Sequence, residues 1–297
     1  SVQQAQKPLV HWSSQISERA GQKKMSDSET KEDKQAVHKI LHLLACSDLR
    51  KSLAETLRGG KSMTLSQLSE QVGASSPAAV HALRELAKEH LTYQDEKRNY
   101  LLTNIGEIVM RKLEGTNATI NALSKNRQFW LEHDISGIPK NLLDKIGSLA
   151  DSEVLSATPT DLFKTFSTFY MLLGNAREIH GVSPIFVEDL TNQFIKLVAK
   201  DIKVELVVAP EVLDAIIRSV DRKELEEALS TNLKLFKIEP QPTVAFTVTD
   251  YFLSLSFFRQ DESFDWSNDL LSYSSDSLEW GQELFEYYVE KSEPVIL

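Results

Sequence analysis

Tyr100-Leu101-Leu102-Thr103-Asn104-Ile105-Gly106 closes a strand and opens a helix, and the residues around it are read from that junction. Upstream, Leu91-Thr92-Tyr93 pairs with Tyr100-Leu101-Leu102 around the polar tip Asp95-Glu96-Lys97-Arg98-Asn99, which makes a hairpin. Further back stand three short amphipathic helices. Ser47 or Asp48 caps the first, whose Leu49, Leu53 and Leu57 recur every fourth residue until Gly59-Gly60. Thr64 with Gln67 forms a capping box for the second, in which Leu65, Leu68 and Val72 face inward and Gly73 allows the turn. Ser76 followed by Pro77 starts the third, with Val80, Leu83 and Ala87 as its buried stripe.

Three helices, a two-stranded wing and a fourth helix are the order of a winged helix-turn-helix, which lays one helix in the DNA major groove. Steps of about 100° per residue place Ala78, His81, Ala82 and Glu85 opposite the third helix's buried stripe, with Arg84 and Lys88 flanking. An alanine methyl there can touch a thymine methyl, and His81 can donate to guanine N7. Glu85 would repel phosphate unless it reads a cytosine amino group or pairs with Arg84 or Lys88. The expected DNA-binding set is Thr64, Gln67, Ser75, Ser76, Ala78, His81, Arg84 and Lys88, joined by Lys97, Arg98 and Asn99 at the wing. A solvated hairpin is the alternative for the wing.

The formal charge of −10 looks wrong for a DNA-binding protein until the chain is divided. Residues 31–126 carry 14 Lys and Arg against 11 Asp and Glu, whereas residues 127–297 carry 15 against 29. Phosphate contact needs local positive charge, so the acidic half has another task. The 297 residues, 41% of them hydrophobic, suffice for two packed domains, and no run approaches a membrane span. Residues 1–33 read as a disordered tail, with Met25 as a candidate natural start. The single cysteine, Cys46, follows an apolar run and is expected to be a buried thiol; one cysteine forms no intrachain disulfide, which fits a reducing cytoplasm. The expected layout is the tail, a winged helix-turn-helix over 34–103, a linker helix over 104–126 and an α/β regulatory domain over 127–297. In the linker, Ile108, Val109, Leu113, Ile120 and Leu123 suit a homodimer seam or packing on the next domain.

In the second half, Glu178–Val182, Lys203–Val208 and Leu233–Ile238 read as strands separated by helical segments, which implies a largely parallel sheet. Phe186, Leu190, Phe194 and Leu197 give the first of those helices an apolar face. Val244–Val248 and Phe252–Phe257 form a hairpin, and a helix after Asp276 points Trp280, Leu284 and Tyr288 inward with Glu279 completing a capping-box pattern. Each of the three strands runs into a proline. Ligands of open parallel sheets sit outside the strand C-termini, so Ser183, Pro184, Pro210, Glu211 and Pro240 mark the expected effector rim; ordinary strand termination explains the prolines equally well.

Residues 48–106 resemble the winged helix-turn-helix of archaeal and bacterial regulators of the broad ArsR/MarR-like group, on the Tyr-x-Leu-Thr-x-x-Gly entry above all. The paired cysteines and clustered His and Asp of metal-sensing members are absent, so no metal site is expected. Phe129–Ile135, Gly181-Val182-Ser183-Pro184, Ala245–Asp250 and Glu279–Tyr288 resemble the middle domain of methanogenesis-regulatory transcription factors of the Fil type, which include methyltransferase-specific regulators of methanogenic archaea. That resemblance implies a regulator of methanogenesis or related metabolic genes and supplies no effector or site residues. The α/β half also resembles phospholipase D-like sensor domains. Their catalytic His-x-Lys is missing, since Gly181 and Val182 follow His180, and no nucleotide-binding, hydrolase or metalloprotease motif occurs. No catalytic residue and no cofactor are expected. Asp261, Glu262, Asp265, Asp269 and Asp276 read as a solvated acidic face, and His133 as a capping or core hydrogen-bonding group. The expected partners are double-stranded DNA, a second copy of the chain, and a small-molecule effector or a protein, with no membrane. An enzyme carrying a DNA-targeting module is the third function class.

Overall fold

The computed structural model describes residues 38–296, so the expected tail lies outside the described residues. The chain divides into two compact units, the first ending at Met110 and the second beginning at Arg111.

In the first unit, residues 38–45 are helical, followed by α1 (Asp48–Thr56), α2 (Leu65–Val72), α3 (Ser76–Lys88), β1 (Thr92–Gln94) and β2 (Tyr100–Leu102). A long helix, α4 (Asn104–Lys125), starts here and continues into the second unit. Local chemistry sets the boundaries. Ser47 accepts from the Arg50 backbone N–H, and Thr64 and Gln67 complete the capping box. Gly73 closes α2 in the left-handed conformation, with φ +65°. The cap of α3 is Ser75, one residue before the expected Ser76; its side chain accepts from Ala78 N–H, and Pro77 falls in the first turn.

The buried stripe of α3 also differs from expectation. Ala79, Ala82, Leu83 and Leu86 are buried, while Ala87 is exposed and Val80 only half-buried. Leu86 offers more apolar area than Ala87, so the helix turns to bury it and takes Ala82 inward. Cys46 is exposed and not the expected core thiol, because Leu43 and Leu44 occupy the inward positions at the end of the preceding helix.

The junction at 100–106 explains its own sequence. Thr103 Oγ1 donates to the His90 carbonyl (2.6 Å) and accepts from Gly106 N–H (3.0 Å), capping α4 while fixing it to the end of α3. A Cβ at Gly106 would lie 2.1 Å from the Leu91 carbonyl oxygen, so only glycine allows this approach.

The second unit is a mixed α/β layer structure on an eight-stranded sheet of order β10-β6-β5-β4-β7-β8-β9-β3. Its strands are β3 (Glu153–Ser156), β4 (Glu178–Ser183), β5 (Lys203–Val208), β6 (Leu233–Lys237), β7 (Val244–Thr249), β8 (Leu253–Phe257), β9 (Asn268–Ser272) and β10 (Glu293–Pro294). The expected largely parallel sheet is corrected: only β4, β5 and β6 run parallel, and every other pairing is antiparallel. The connection from β6 to β7, over 238–243, is too short for a crossover helix, so β7 reverses and pairs with β4.

Helices α7 (Lys164–Leu173), α8 (Glu188–Val198), α9 (Pro210–Ser219) and α10 (Arg222–Ser230) cover one face. The other is covered by α11 (Ser275–Glu290), with α5 (Arg127–Glu132), α6 (Lys140–Leu143) and a 3-10 turn at Ile146–Leu149. Trp280, Leu284 and Tyr288 of α11 are buried against the sheet, and Ser274, not the Asp276 region, caps the helix by accepting from Ser277 N–H.

Candidate functional site

Two surfaces carry chemistry, one in each unit. On α3, Ala78, His81, Arg84 and Lys88 are all exposed, as are Ser75 and Ser76 at its start. Glu85 is paired with Lys88 at 2.6 Å, and that hydrogen bond and charge hold its carboxyl below the usual range. The pairing removes the repulsion that Glu85 would otherwise present to phosphate. Thr64 and Gln67 are exposed, but the Gln67 Oε1 already accepts from Thr64 N (2.9 Å) and Thr64 Oγ1 (3.0 Å). In the hairpin, Asp95 accepts from Asn99 N (2.7 Å) and Nδ2 (3.2 Å), which ties Asn99 down. Lys97 and Arg98 stand exposed at the tip, Arg98 in the left-handed region at φ +64°.

The second unit holds a cleft of about 710 Å³, its open mouth included, over β4, β7, β8 and β9 on the face covered by α7 and α8. Strand alternation builds its floor. Leu253, Leu255 and Phe257 face the α11 core, which leaves Ser254 and Ser256 on the cleft side; Val244, Phe246 and Val248 likewise leave Ala245 and Thr247. Small residues leave space where a core would otherwise close. At Gly181 a Cβ would stand 3.0 Å from Leu206 Cδ2 and 3.2 Å from the Phe246 carbonyl oxygen. Aromatic rings wall the cleft: Phe166 stacks on Trp266 at 5.5 Å between centroids, and Phe264 meets Trp266 edge to face at 4.7 Å.

Two carboxyls of the expected solvated acidic stretch are buried instead, and both line the cleft. Asp265 is fully satisfied. Its Oδ1 accepts from Arg259 Nη2 (2.9 Å) and Ser267 N (2.9 Å), and its Oδ2 from Asn268 Nδ2 (2.8 Å) and His133 Nε2 (3.0 Å). Burial pushes its pKa up, yet these hydrogen bonds outweigh burial and leave it below the ordinary value. His133, itself buried, places Nδ1 2.6 Å from the Phe129 carbonyl and Nε2 3.0 Å from Asp265, so both ring nitrogens face oxygen atoms. Asp269 accepts from Ser254 and Ser256, each at 2.8 Å, and burial lifts its pKa to about 6 against those hydrogen bonds. Asp261, Glu262 and Asp276 are exposed as expected. Tertiary contact separates the five: β9 carries Asp269 into the sheet, and Arg259 with His133 draws Asp265 inward.

Of the five residues expected at the effector rim, Ser183 lines the cleft, and its hydroxyl donates to the Ile185 carbonyl at 2.7 Å. Pro184, Pro210, Glu211 and Pro240 are not part of its lining. Pro210 starts α9 with Glu211 in the first turn, and Gln241 Nε2 donates to the Pro184 carbonyl at 2.9 Å. The sequence reading missed Thr165, Phe166, Trp266 and Asp269. The alternation Leu-Ser-Leu-Ser-Phe over 253–257 carries a legible signal, since its second face is small and polar in a strand otherwise buried.

Residues 162–291 match the family described as methanogenesis regulatory protein FilR1, middle domain, and every residue lining the cleft falls inside that segment. The methanogenesis regulatory protein FilR1 of Methanothrix harundinacea (strain 6Ac) is 27% identical over 265 residues, covering 88% of this chain. The chain spans 59% of the length of that relative. Among solved structures, the archaeal chromatin protein TrmBL2, described as showing a novel mode of DNA binding, overlaps 83% of this chain and 93% of its own at 14% identity and a TM-score of 0.40. The dimethyltransferase RosA from Streptomyces davawensis overlaps 71% and 67% at 13% identity and a TM-score of 0.28. Overlaps this loose bear on neither fold nor function. Residues 162–291 thus match the FilR1 middle-domain family, and most of the chain is similar to a methanogenesis regulatory protein.

Proposed function

We propose that this chain is a DNA-binding transcriptional regulator of methanogenesis or related metabolic genes and has no enzymatic activity. Residues 34–103 are its winged helix-turn-helix, 104–126 its dimerisation helix and 127–297 its effector-sensing domain, acting in the cytoplasm. The observation that carries the reading is the outward face of α3, where Ala78, His81, Arg84 and Lys88 lie exposed ahead of a hairpin tipped by Lys97 and Arg98. Small and cationic side chains on one helix suit base edges and phosphate together. The cleft is the effector site, retaining Ser183 of the residues first expected there. Among the described residues no helix is long and apolar enough to cross a membrane.

Fluorescence anisotropy with genomic fragments across a salt series tests the DNA reading. Each phosphate neutralised contributes about 0.9 to the log–log slope. Lys97→Ala with Arg98→Ala will weaken every sequence alike and flatten that slope. His81→Ala will cost roughly 1–3 kcal/mol on the preferred site and less on random DNA. Salt-independent binding, or no binding to any fragment, would sink the proposal.

Dimerisation is read from α4, where Ile105 and Ile108 are 54% and 63% exposed and Ile120 is exposed further along. Two half-sites one helical turn apart require two recognition helices. Ile105→Glu with Ile108→Glu will therefore halve the sedimentation mass, and since both side chains already face solvent the fold will survive. An unchanged mass would move the dimer elsewhere or abolish it.

A second reading makes the C-terminal unit a protein-interaction module without a small ligand. Leu162, Phe163 and Met171, exposed at and just before α7, favour it.

A further inference from the structure

Asp269 differs from its neighbour Asp265 in one respect that bears on what the cleft binds. Both carboxyls are buried, at 5% and 2% exposure. Asp265 is held by Arg259 and His133, so its charge is answered inside the protein. For Asp269, the side-chain partners are two serine hydroxyls, and among the described residues no Lys, Arg or His forms an ion pair with it. Hydroxyls orient a carboxylate without neutralising it. A carboxylate removed from water with no counter-charge is costly, and the cost falls when a cation arrives beside it.

The rest of the lining agrees with that requirement. Ser254 and Ser256 spend their protons on Asp269, so their remaining lone pairs are acceptors. The rings of Phe166, Phe169, Phe264 and Trp266 border the same space, and the negative face of an aromatic ring attracts positive charge. No Lys, Arg or His is among the described residues that line the cleft. Phosphates, carboxylates and other anions would meet acceptors and π-electrons with nothing to balance them.

We infer that the cleft takes a compact organic cation, an amine with apolar substituents, with its ammonium group against Asp269 and its apolar part against the aromatic walls. This rests on the reading of the cleft as the effector site. The Leu255 backbone N–H and the two serine hydroxyls already bond Asp269, and the amine supplies the positive charge that it lacks, while the rings enclose the amine's carbon skeleton. Asp269 then serves as the specificity-determining residue and Asp265 keeps the wall in place.

Isothermal titration calorimetry on the full chain at pH 7, with three probes of matched skeleton, tests this: 2-phenylethylammonium, 2-phenylethanol and 3-phenylpropanoate. The ammonium compound is expected to bind at least tenfold more tightly than the other two. Asp269→Asn is expected to remove at least that factor for the ammonium while leaving the alcohol within twofold. If the alcohol or the carboxylate binds as well as the ammonium, the cation inference is overturned and the effector cleft stands. If none of the three binds and cleft-filling Ser254→Phe leaves DNA affinity unchanged in a chain that still melts cooperatively, the effector reading falls and the inference with it.

Discussion

Replacing Gly106 with valine will unfold the first unit and abolish DNA binding. The position of a Cβ at this residue is 2.1 Å from the Leu91 carbonyl oxygen, a backbone atom that cannot rotate aside. Relief requires moving α4 away from the turn that follows α3, which breaks the Thr103 bonds to His90 and to Gly106 together. Overpacking of this kind costs typically 1–3 kcal/mol, and the added branches with the lost cap bring the expected cost to about 3 kcal/mol or more. Marginal stability makes that decisive for so small a unit. Thermal melting by circular dichroism, with anisotropy on the preferred DNA, checks it. Gly106→Ala will show the smaller loss of the same sign. A wild-type melting profile for Gly106→Val would mean that α4 does not sit on the Leu91 carbonyl.

The second large effect is a dependence of stability on pH with two windows of opposite sign. Asp269 rises from an ordinary 3.8 to about 6, chiefly through burial, so the folded chain binds its proton more tightly than the unfolded chain does. Its contribution is complete below pH 4 and is lost as pH rises through about 6; at 1.36 kcal/mol per pH unit the loss approaches 3 kcal/mol. Asp265 acts in reverse. Burial raises its pKa but the Asn268, Arg259, Ser267 and His133 bonds lower it further, so its contribution is present above the ordinary carboxyl range and disappears at lower pH. Urea unfolding of the full chain between pH 3 and pH 8 will separate them. Asp269→Asn will flatten the profile between pH 4 and pH 6 and leave the acid limb intact. An unchanged upper window in Asp269→Asn would show that another group titrates there.

Both effects arise where the sequence was only partly legible, and for different reasons. Around residues 100–106 the information is local. A strand, a threonine that caps and a glycine that permits close approach all act within one turn of each other, so the junction could be read before its geometry was seen. The turn chemistry of Thr64, Gln67 and Gly73 is local in the same sense. The error on α3 came from a choice between two alanines of the same helix. Ala82 and Ala87 are chemically identical, and which one enters the core depends on how the larger Leu86 packs.

The acidic stretch shows the opposite case. By composition, Asp265 and Asp269 were indistinguishable from the exposed Asp261 and Asp276. Their burial depends on Arg259 and His133, the latter 132 residues away, and on β9 pairing with β8 and β3. Edge strands such as β3 and β10 are short and carry charged residues, which masks the period of two by which a strand is recognised.

The sequence by itself determined the order of helices, hairpin and parallel strands, the basic and acidic halves, and the caps of α1 and α2, because propensity, periodicity and caps act over a few neighbours. Tertiary structure alone decided that the sheet is mixed, that the cleft lies over β4 and β7–β9 and not at the proline loops, and that one buried aspartate is paired while the other is not. Those outcomes rest on contacts between residues far apart in the chain, where packing and desolvation act and local patterning has no hold.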